Sequence, residues 1–214
     1  MMNKLSKVNF ENKVVIITGA GNGLGKAYAL DLANRGAKVV VNDLGGSVDG
    51  SGSANTPADD VVEEIKKNGG EAEANYSSVS TKEGGDAIIS TAMDAYGTVD
   101  AVVNNAGILK DKSFVKMTED DFSAVIDVHL KGAFYVSQPA FKIMKENSYG
   151  RIVNIASPSG LFGNFGQANY GAAKMGIVGL TNVLAIEGAK YNIKVNVIAP
   201  NATTRMTEAI FGEE

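Results

Sequence analysis

A phenol and an amine four residues apart, Tyr170 and Lys174, follow shortly after a hydroxyl at Ser157. They are the side chains of this sequence best suited to move a proton. On a helix, residues at that spacing project from one face, one turn apart. An ammonium beside a phenol favours the phenolate and draws the tyrosine pKa down from about 10. A group tuned in this way serves as a general acid or base. Ser157 comes directly after Arg151-Ile152-Val153-Asn154-Ile155-Ala156, an apolar run that predicts a buried strand. The hydroxyl would then stand at the strand's carboxyl end, the edge of an open α/β sheet where ligands bind. Taken alone, Tyr-x-x-x-Lys more often marks a solvated helix face, so its meaning depends on the surrounding elements.

Those elements begin with Lys13-Val14-Val15-Ile16-Ile17-Thr18, a β-branched run that reads as a strand buried on both faces. Gly19-Ala20-Gly21-Asn22-Gly23-Leu24-Gly25 comes next, and a helical pattern follows through Ala27, Leu30 and Ala33. Strand, glycine loop and helix are the context of a dinucleotide site: glycines admit the pyrophosphate, and the helix start offers free N–H groups. Asp43 closes the next predicted strand, Ala37 to Asp43. An acidic residue there suits the adenosine ribose hydroxyls and repels a 2′-phosphate, and neither Asn42 nor Leu44 supplies a cation. This favours NAD over NADP.

Further along, Gly45 to Thr56 reads as an exposed glycine- and serine-rich loop and Pro57 to Asn68 as a helix. Glu71 to Val79 predicts a strand, Lys82 to Tyr96 a helix and Val99 to Val103 a strand ending at Asn104-Asn105-Ala106-Gly107. Thr118 with Asp121 signals a helix start, and one long helix is expected to about Lys145 with His129 in its middle. The Tyr170 helix extends to about Tyr191, and Ile193 to Ile198 is the sixth strand. Strand–helix alternation implies an α/β fold: one Rossmann-like, doubly wound parallel sheet with helices on both faces. The 214 residues, 44% hydrophobic and 21% charged, suit a single domain over residues 1–214.

Composition narrows the function. A net charge of −4 offers no broad basic surface for nucleic acid or anionic membrane. The absence of cysteine removes disulfides, thiol catalysis and cysteine metal sites, and a single histidine removes a multi-histidine zinc site; no metal is expected. The first residues carry positive charge without an apolar h-region, and no apolar run approaches membrane-spanning length. The expectation is a chain that is neither secreted nor membrane-bound.

Three ordered motifs, Thr18 to Gly25, Asn104 to Gly107, and Ser157 with Tyr170 and Lys174, resemble the short-chain dehydrogenase/reductase family over essentially the whole length. Val41 to Gly46, Val128-His129-Leu130 and Gly163 to Tyr170 look like its (3R)-hydroxyacyl-CoA dehydrogenase branch, the domain carried by peroxisomal multifunctional enzymes. The resemblance implies that Tyr170 is the acid/base, that Lys174 tunes it and holds the nicotinamide ribose, and that Ser157 binds the substrate oxygen. It implies that Gly19, Asn22, Gly23, Leu24 and Gly25 surround the pyrophosphate of NAD and that Asp43 meets the ribose. Ser78 and Val79 would contact adenine, Asn105 would line the cofactor channel, and Ala202, Thr203 and Thr204 would approach the nicotinamide. His129 stands where many members carry an asparagine that helps hold a relay water. It is read either as a substitute for that asparagine or as a packed helix histidine. Ser77 replaces a frequent aspartate near adenine.

The implied activity is oxidation of a (3R)-3-hydroxyacyl-CoA to the 3-oxoacyl-CoA in fatty-acid β-oxidation, by a dimer or tetramer in the cytoplasm or peroxisome. Reduction of a 3-oxoacyl-carrier protein, small ketone or steroid is the neighbouring alternative, and a non-catalytic nucleotide-binding scaffold is the alternative from another class. Family members continue into a seventh strand beyond the point where this sequence stops, so the domain is expected to be incomplete at its C-terminus.

Overall fold

The computed structural model describes residues 8–201. Six strands form one parallel sheet in the order β3-β2-β1-β4-β5-β6. They are β1 (Val14–Thr18), β2 (Lys38–Asn42), β3 (Glu71–Asn75), β4 (Ala101–Asn104), β5 (Gly150–Ile155) and β6 (Ile193–Ile198). The chain builds outward from β1 to β3, then returns to place β4 on the other side of β1, where Ile16 pairs with both Val40 and Val102. That reversal opens a crevice above β1 and β4, the switch point at which such sheets bind ligands.

The helices cover both faces, which is why β1 is buried at all five positions. Helices α1 (Gly23–Asn34) and α2 (Thr56–Lys67) bring Ala29, Ala33, Val61 and Ile65 against Ile17, Val39 and Val41. On the opposite face α3 (Lys82–Tyr96) and α5 (Gly132–Glu146) pack Ile88, Val136 and Met144 on Ile16, Val102 and Ile152. Each valine, isoleucine or methionine among them contributes about 1.5–3 kcal/mol on burial, so the two clusters hold the sheet rigid beneath its carboxyl edge. Local signals set the ends. Thr81 caps α3 by accepting from the Gly84 N–H, and Gly97, at φ 74°, closes the helix in the left-handed region.

Two elements differ from the sequence expectation. The helix expected from Thr118 to Lys145 is divided into α4 (Glu119–Ile126), a π-helical turn (Asp127–Lys131) and α5. Its start is the capping box of Thr118 and Asp121. The wider turn changes the phase of the side chains in mid-helix, as such insertions at functional positions do, and Gly132 passes so close that a Cβ there would lie 2.9 Å from Val79. Strand β3 ends at Asn75 instead of Val79, because the Asn75 side chain accepts from the Asn42 amide and from the Ser77 N–H, both at 2.9 Å. That turn draws the chain out of the ladder.

Helices α6 (Pro158–Phe162) and α7 (Ala168–Gly188) complete the elements used below. Strand β6 forms the outer edge among the described residues, and no helix among them is long and apolar enough to cross a membrane.

Candidate active site

The carboxyl ends of the strands open into a cavity of about 710 Å³, within the range of small-molecule sites. Ser157, Tyr170 and Lys174 meet on one wall of it. Ser157 follows β5 and caps α6, its Oγ accepting from the Ser159 N–H at 3.2 Å. Tyr170 lies in the first turn of α7, fixed by Asn169. That fully buried amide donates to Lys110 O and Asp121 O, both at 3.0 Å, and its carbonyl oxygen accepts from the Tyr170 N–H at 2.8 Å. One turn on, Lys174 is 3% exposed and its Nζ donates to Ile155 O at 2.5 Å. The Nζ lies 5.4 Å from the centre of the Tyr170 ring.

The electrostatics differ from the sequence expectation. Burial raises the Tyr170 pKa above 10.0; the Ser157 hydroxyl pulls it down, and the Asp111 carboxylate adds to the rise. Burial also pulls Lys174 down to about 7. Both partners lose solvent, and each charged form is penalised. An ammonium that is itself discouraged does not draw the phenol down in this geometry.

His129 occupies the π-helical turn and is 3% exposed. Its ring meets Tyr170 edge-on, with centroids 5.1 Å apart at 87°. Nε2 faces both backbone groups of Ile108, the N–H at 3.1 Å and the C=O at 2.9 Å, while Nδ1 is buried without a protein partner. Burial first, then the Lys174 charge, holds the imidazole well below its ordinary pKa, so the ring is neutral. The ring also lies against Gly107, where an added Cβ would sit 2.3 Å from His129 Cε1. Behind it is a cavity of about 10 Å³ lined by Asn104, His129 and Lys174 among others, the size of one water. Asn104 Oδ1, like His129 Nδ1, is buried without a protein partner.

The other half of the cavity has the shape of a dinucleotide cradle. Gly19, Asn22, Gly23 and Leu24 line it, and the N-cap Asn22 makes no side-chain bond to the first turn of α1, so the N–H groups there face outward. Gly19, at φ 63°, lies so close to the chain after β4 that a Cβ would be 2.8 Å from Ala106 Cα. Gly25 does not line the cavity: it packs beneath the loop, where a Cβ would meet Gly19 O at 2.1 Å. Its bare backbone lets α1 start against the Gly19–Ala20 turn. Asp43 lines the cavity and braces the loop, accepting from the Gly21 N–H and the Gly45 N–H, both at 2.7 Å. Ser78 and Val79 line the cavity with Asn105, whose amide donates to Thr18 O and Gly19 O at 3.0 Å. These residues fit a nicotinamide dinucleotide: an open helix start, a glycine cradle and a carboxylate at the end of β2. Ala202, Thr203 and Thr204 lie outside the described residues. No cluster of metal-binding side chains occurs among the described residues.

Three contributors are not apparent from the sequence. Thr18 Oγ1 accepts from the N–H groups of Asn105 and Ala106, at 3.0 and 3.1 Å, and so ties β1 to the chain after β4. Gln167 donates to Asp111 at 2.7 Å on the substrate side. Gly46 to Ser51, expected as an exposed loop, forms a cavity wall, with the Leu109 N–H bonded to Val48 O at 2.9 Å. The glycine and serine content marked a loop; a pairing across so many residues leaves no local trace.

A family model described as short chain dehydrogenase matches residues 13–214. A peroxisomal hydratase-dehydrogenase-epimerase of Saccharomyces cerevisiae is 61% identical over 203 residues, which are 95% of this chain and 22% of the relative. A crystal structure of a short chain dehydrogenase from Mycobacterium avium aligns over 96% of this chain and 73% of its own, at 45% identity and a TM-score of 0.85. The full-length peroxisomal multifunctional enzyme type 2 of Drosophila melanogaster aligns over 92% of this chain and 32% of its own, at 48% identity and a TM-score of 0.75. The chain thus spans a minor part of the curated multifunctional relatives it matches.

Proposed function

This chain belongs to the short chain dehydrogenase family, and from that premise we propose that it is an NAD-dependent oxidoreductase converting (3R)-3-hydroxyacyl-CoA to 3-oxoacyl-CoA. The observation that carries the reading is the convergence of Ser157, Tyr170 and Lys174 on one wall of a cavity whose other half is the glycine cradle. The names of the relatives, a peroxisomal hydratase-dehydrogenase-epimerase and a peroxisomal multifunctional enzyme, support a dehydrogenase and a peroxisomal setting.

NAD, when bound, supplies the hydride acceptor. The chain's own residues handle the proton. Ser157 donates to the substrate oxygen and holds it beside the phenol. Tyr170 takes the hydroxyl proton during oxidation and returns it during reduction. The raised phenol pKa keeps the proton on Tyr170 at rest, which suits the donor role, and oxidation gains as pH rises. Lys174, poised at about 7, exchanges a proton near neutrality, and His129 and Asn104 offer polar atoms to a water in the small cavity behind it. That supports a relay role for His129 over simple packing.

In the test, the full chain is given (3R)- and (3S)-3-hydroxyacyl-CoA with NAD or NADP, and reduced cofactor is followed by absorbance. The expected result is turnover of the (3R) substrate with NAD. Preference for NADP, or turnover of simple secondary alcohols with the thioester ignored, overturns the assignment.

The surface of α7 supports a homo-oligomer. The outer side of this helix is largely apolar: Met175, Val183 and Ile186 face outward, Ile186 at 78% exposure. Phe122 on α4 and Phe134 on α5 add to the exposed apolar surface, and an apolar patch of this kind marks an interaction face. A second copy, packed by symmetry, covers such a face. Ile186→Glu is expected to lower the mass measured by light scattering to that of a smaller species while the far-ultraviolet dichroism stays unchanged. An unaltered mass removes α7 from the interface.

A further inference from the structure

Four bare apolar side chains lie on segments whose polar residues line the cavity. Two loops carry them and form an apolar rim. The segment after β4, residues 110–117, is held to the segment before α7, residues 161–167, by the Lys112 N–H to Gly166 O bond at 2.9 Å and the Gln167 to Asp111 bond at 2.7 Å. Lys110, Asn164 and Gln167 from these same loops line the cavity. Among and beside these polar residues, Phe114, Val115, Phe162 and Phe165 are 79–90% exposed. Large apolar side chains this bare are rare on a soluble surface and mark a binding site when they gather in one place.

We propose that this rim is the binding site for the acyl tail of the substrate, a saturated chain leaving the cavity at the Asn164–Gln167 wall. The proposal rests on the thioester reading above. What favours an acyl chain is continuity: the bare side chains sit on the segments that carry Lys110, Asn164 and Gln167, which line the same cavity as Ser157 and Tyr170. The rim also differs in form from the α7 face. That face is a regular helical stripe suited to another helix, whereas the rim is a turn and a loop braced through backbone bonds, a shape that suits a thin flexible guest. The polar lining at Asn164 and Gln167 suits the thioester and 3-oxygen end, and the phenylalanines suit only hydrocarbon.

Each methylene removed from water is worth roughly fourfold in affinity. The wild-type chain is therefore expected to show a kcat/KM that climbs from 3-hydroxybutyryl-CoA to 3-hydroxydodecanoyl-CoA, mainly through KM. The double variant Phe114→Ser with Phe165→Ser is expected to keep the 3-hydroxybutyryl value and lose about tenfold or more on the dodecanoyl substrate. Both residues are solvent-facing, so the dichroism and melting temperature are expected to stay constant. Equal loss on both substrates, or no loss on the long one, overturns the proposal. A change in mass by light scattering overturns it too, because the occupant would then be a second copy. If the wild type turns over no 3-hydroxyacyl thioester of any length but oxidises another alcohol, the functional reading falls and takes the acyl tail with it. That outcome is distinct from a working enzyme indifferent to the rim.

Discussion

Tyr170→Phe is expected to bind NAD as the wild type does and to lose on the order of a thousandfold in kcat, the usual size of a missing acid/base. The substitution removes one oxygen. The ring stays, with its edge-on contact to His129 and its place in the first turn of α7. The backbone anchors on Asn169 do not involve the phenol. Among the described hydrogen bonds none uses the phenol to hold the fold, and the Ser157 hydroxyl is the polar group that faces it. Calorimetric titration with NAD and single-turnover kinetics separate the two effects. Intact turnover in the variant would remove Tyr170 from the chemistry.

Lys174→Met is expected to do the opposite to stability and the same to activity: turnover is lost, and the melting temperature rises. The wild-type fold takes an amine whose ordinary pKa is 10.5 into a site where it falls to about 7. The unfolded chain therefore binds more protons than the folded one across that interval, and stability increases as pH rises through it. Near neutral pH the penalty is about 4 kcal/mol. Methionine escapes it but strands the Ile155 carbonyl, a loss of about 1–3 kcal/mol. The net gain is about 2 kcal/mol, or roughly 4–8 °C for a chain of this length. The advantage should be greatest at pH 7 and below and shrink toward pH 10.5. A variant that melts lower than wild type at pH 7 would show that the amine supports the fold instead of straining it.

That opposition explains why the chemistry was easier to read than its electrostatics. The sequence carried the constellation because residue type and spacing suffice: a strand before Ser157, a helix under Tyr170 and Lys174, glycines between β1 and α1. The order of strands followed from β-branched runs alternating with helical periodicity. The direction of the tyrosine shift could not be read, since it depends on how deeply both groups are buried, and burial is a property of packing. The same limit applies to the π-helical turn. Asp127 to Lys131 has unremarkable helical composition, and the extra residue becomes visible only where α4 and α5 must each meet a different neighbour. The resemblance implies Gly25 in the phosphate cradle; a Cβ there would lie 2.1 Å from Gly19 O, a closeness set by packing that residue type alone does not reveal.

Gly107 and His129 have a consequence beyond the present chain. With an imidazole carbon in the place where a methyl group would have to go, position 107 cannot vary freely. A bulkier neighbour after β4 requires a slimmer residue in the helix, and an imidazole in the helix requires a bare backbone opposite. The coupling runs in one direction: a side chain at 107 excludes an imidazole at 129, whereas a smaller residue at 129 leaves the glycine free to stay.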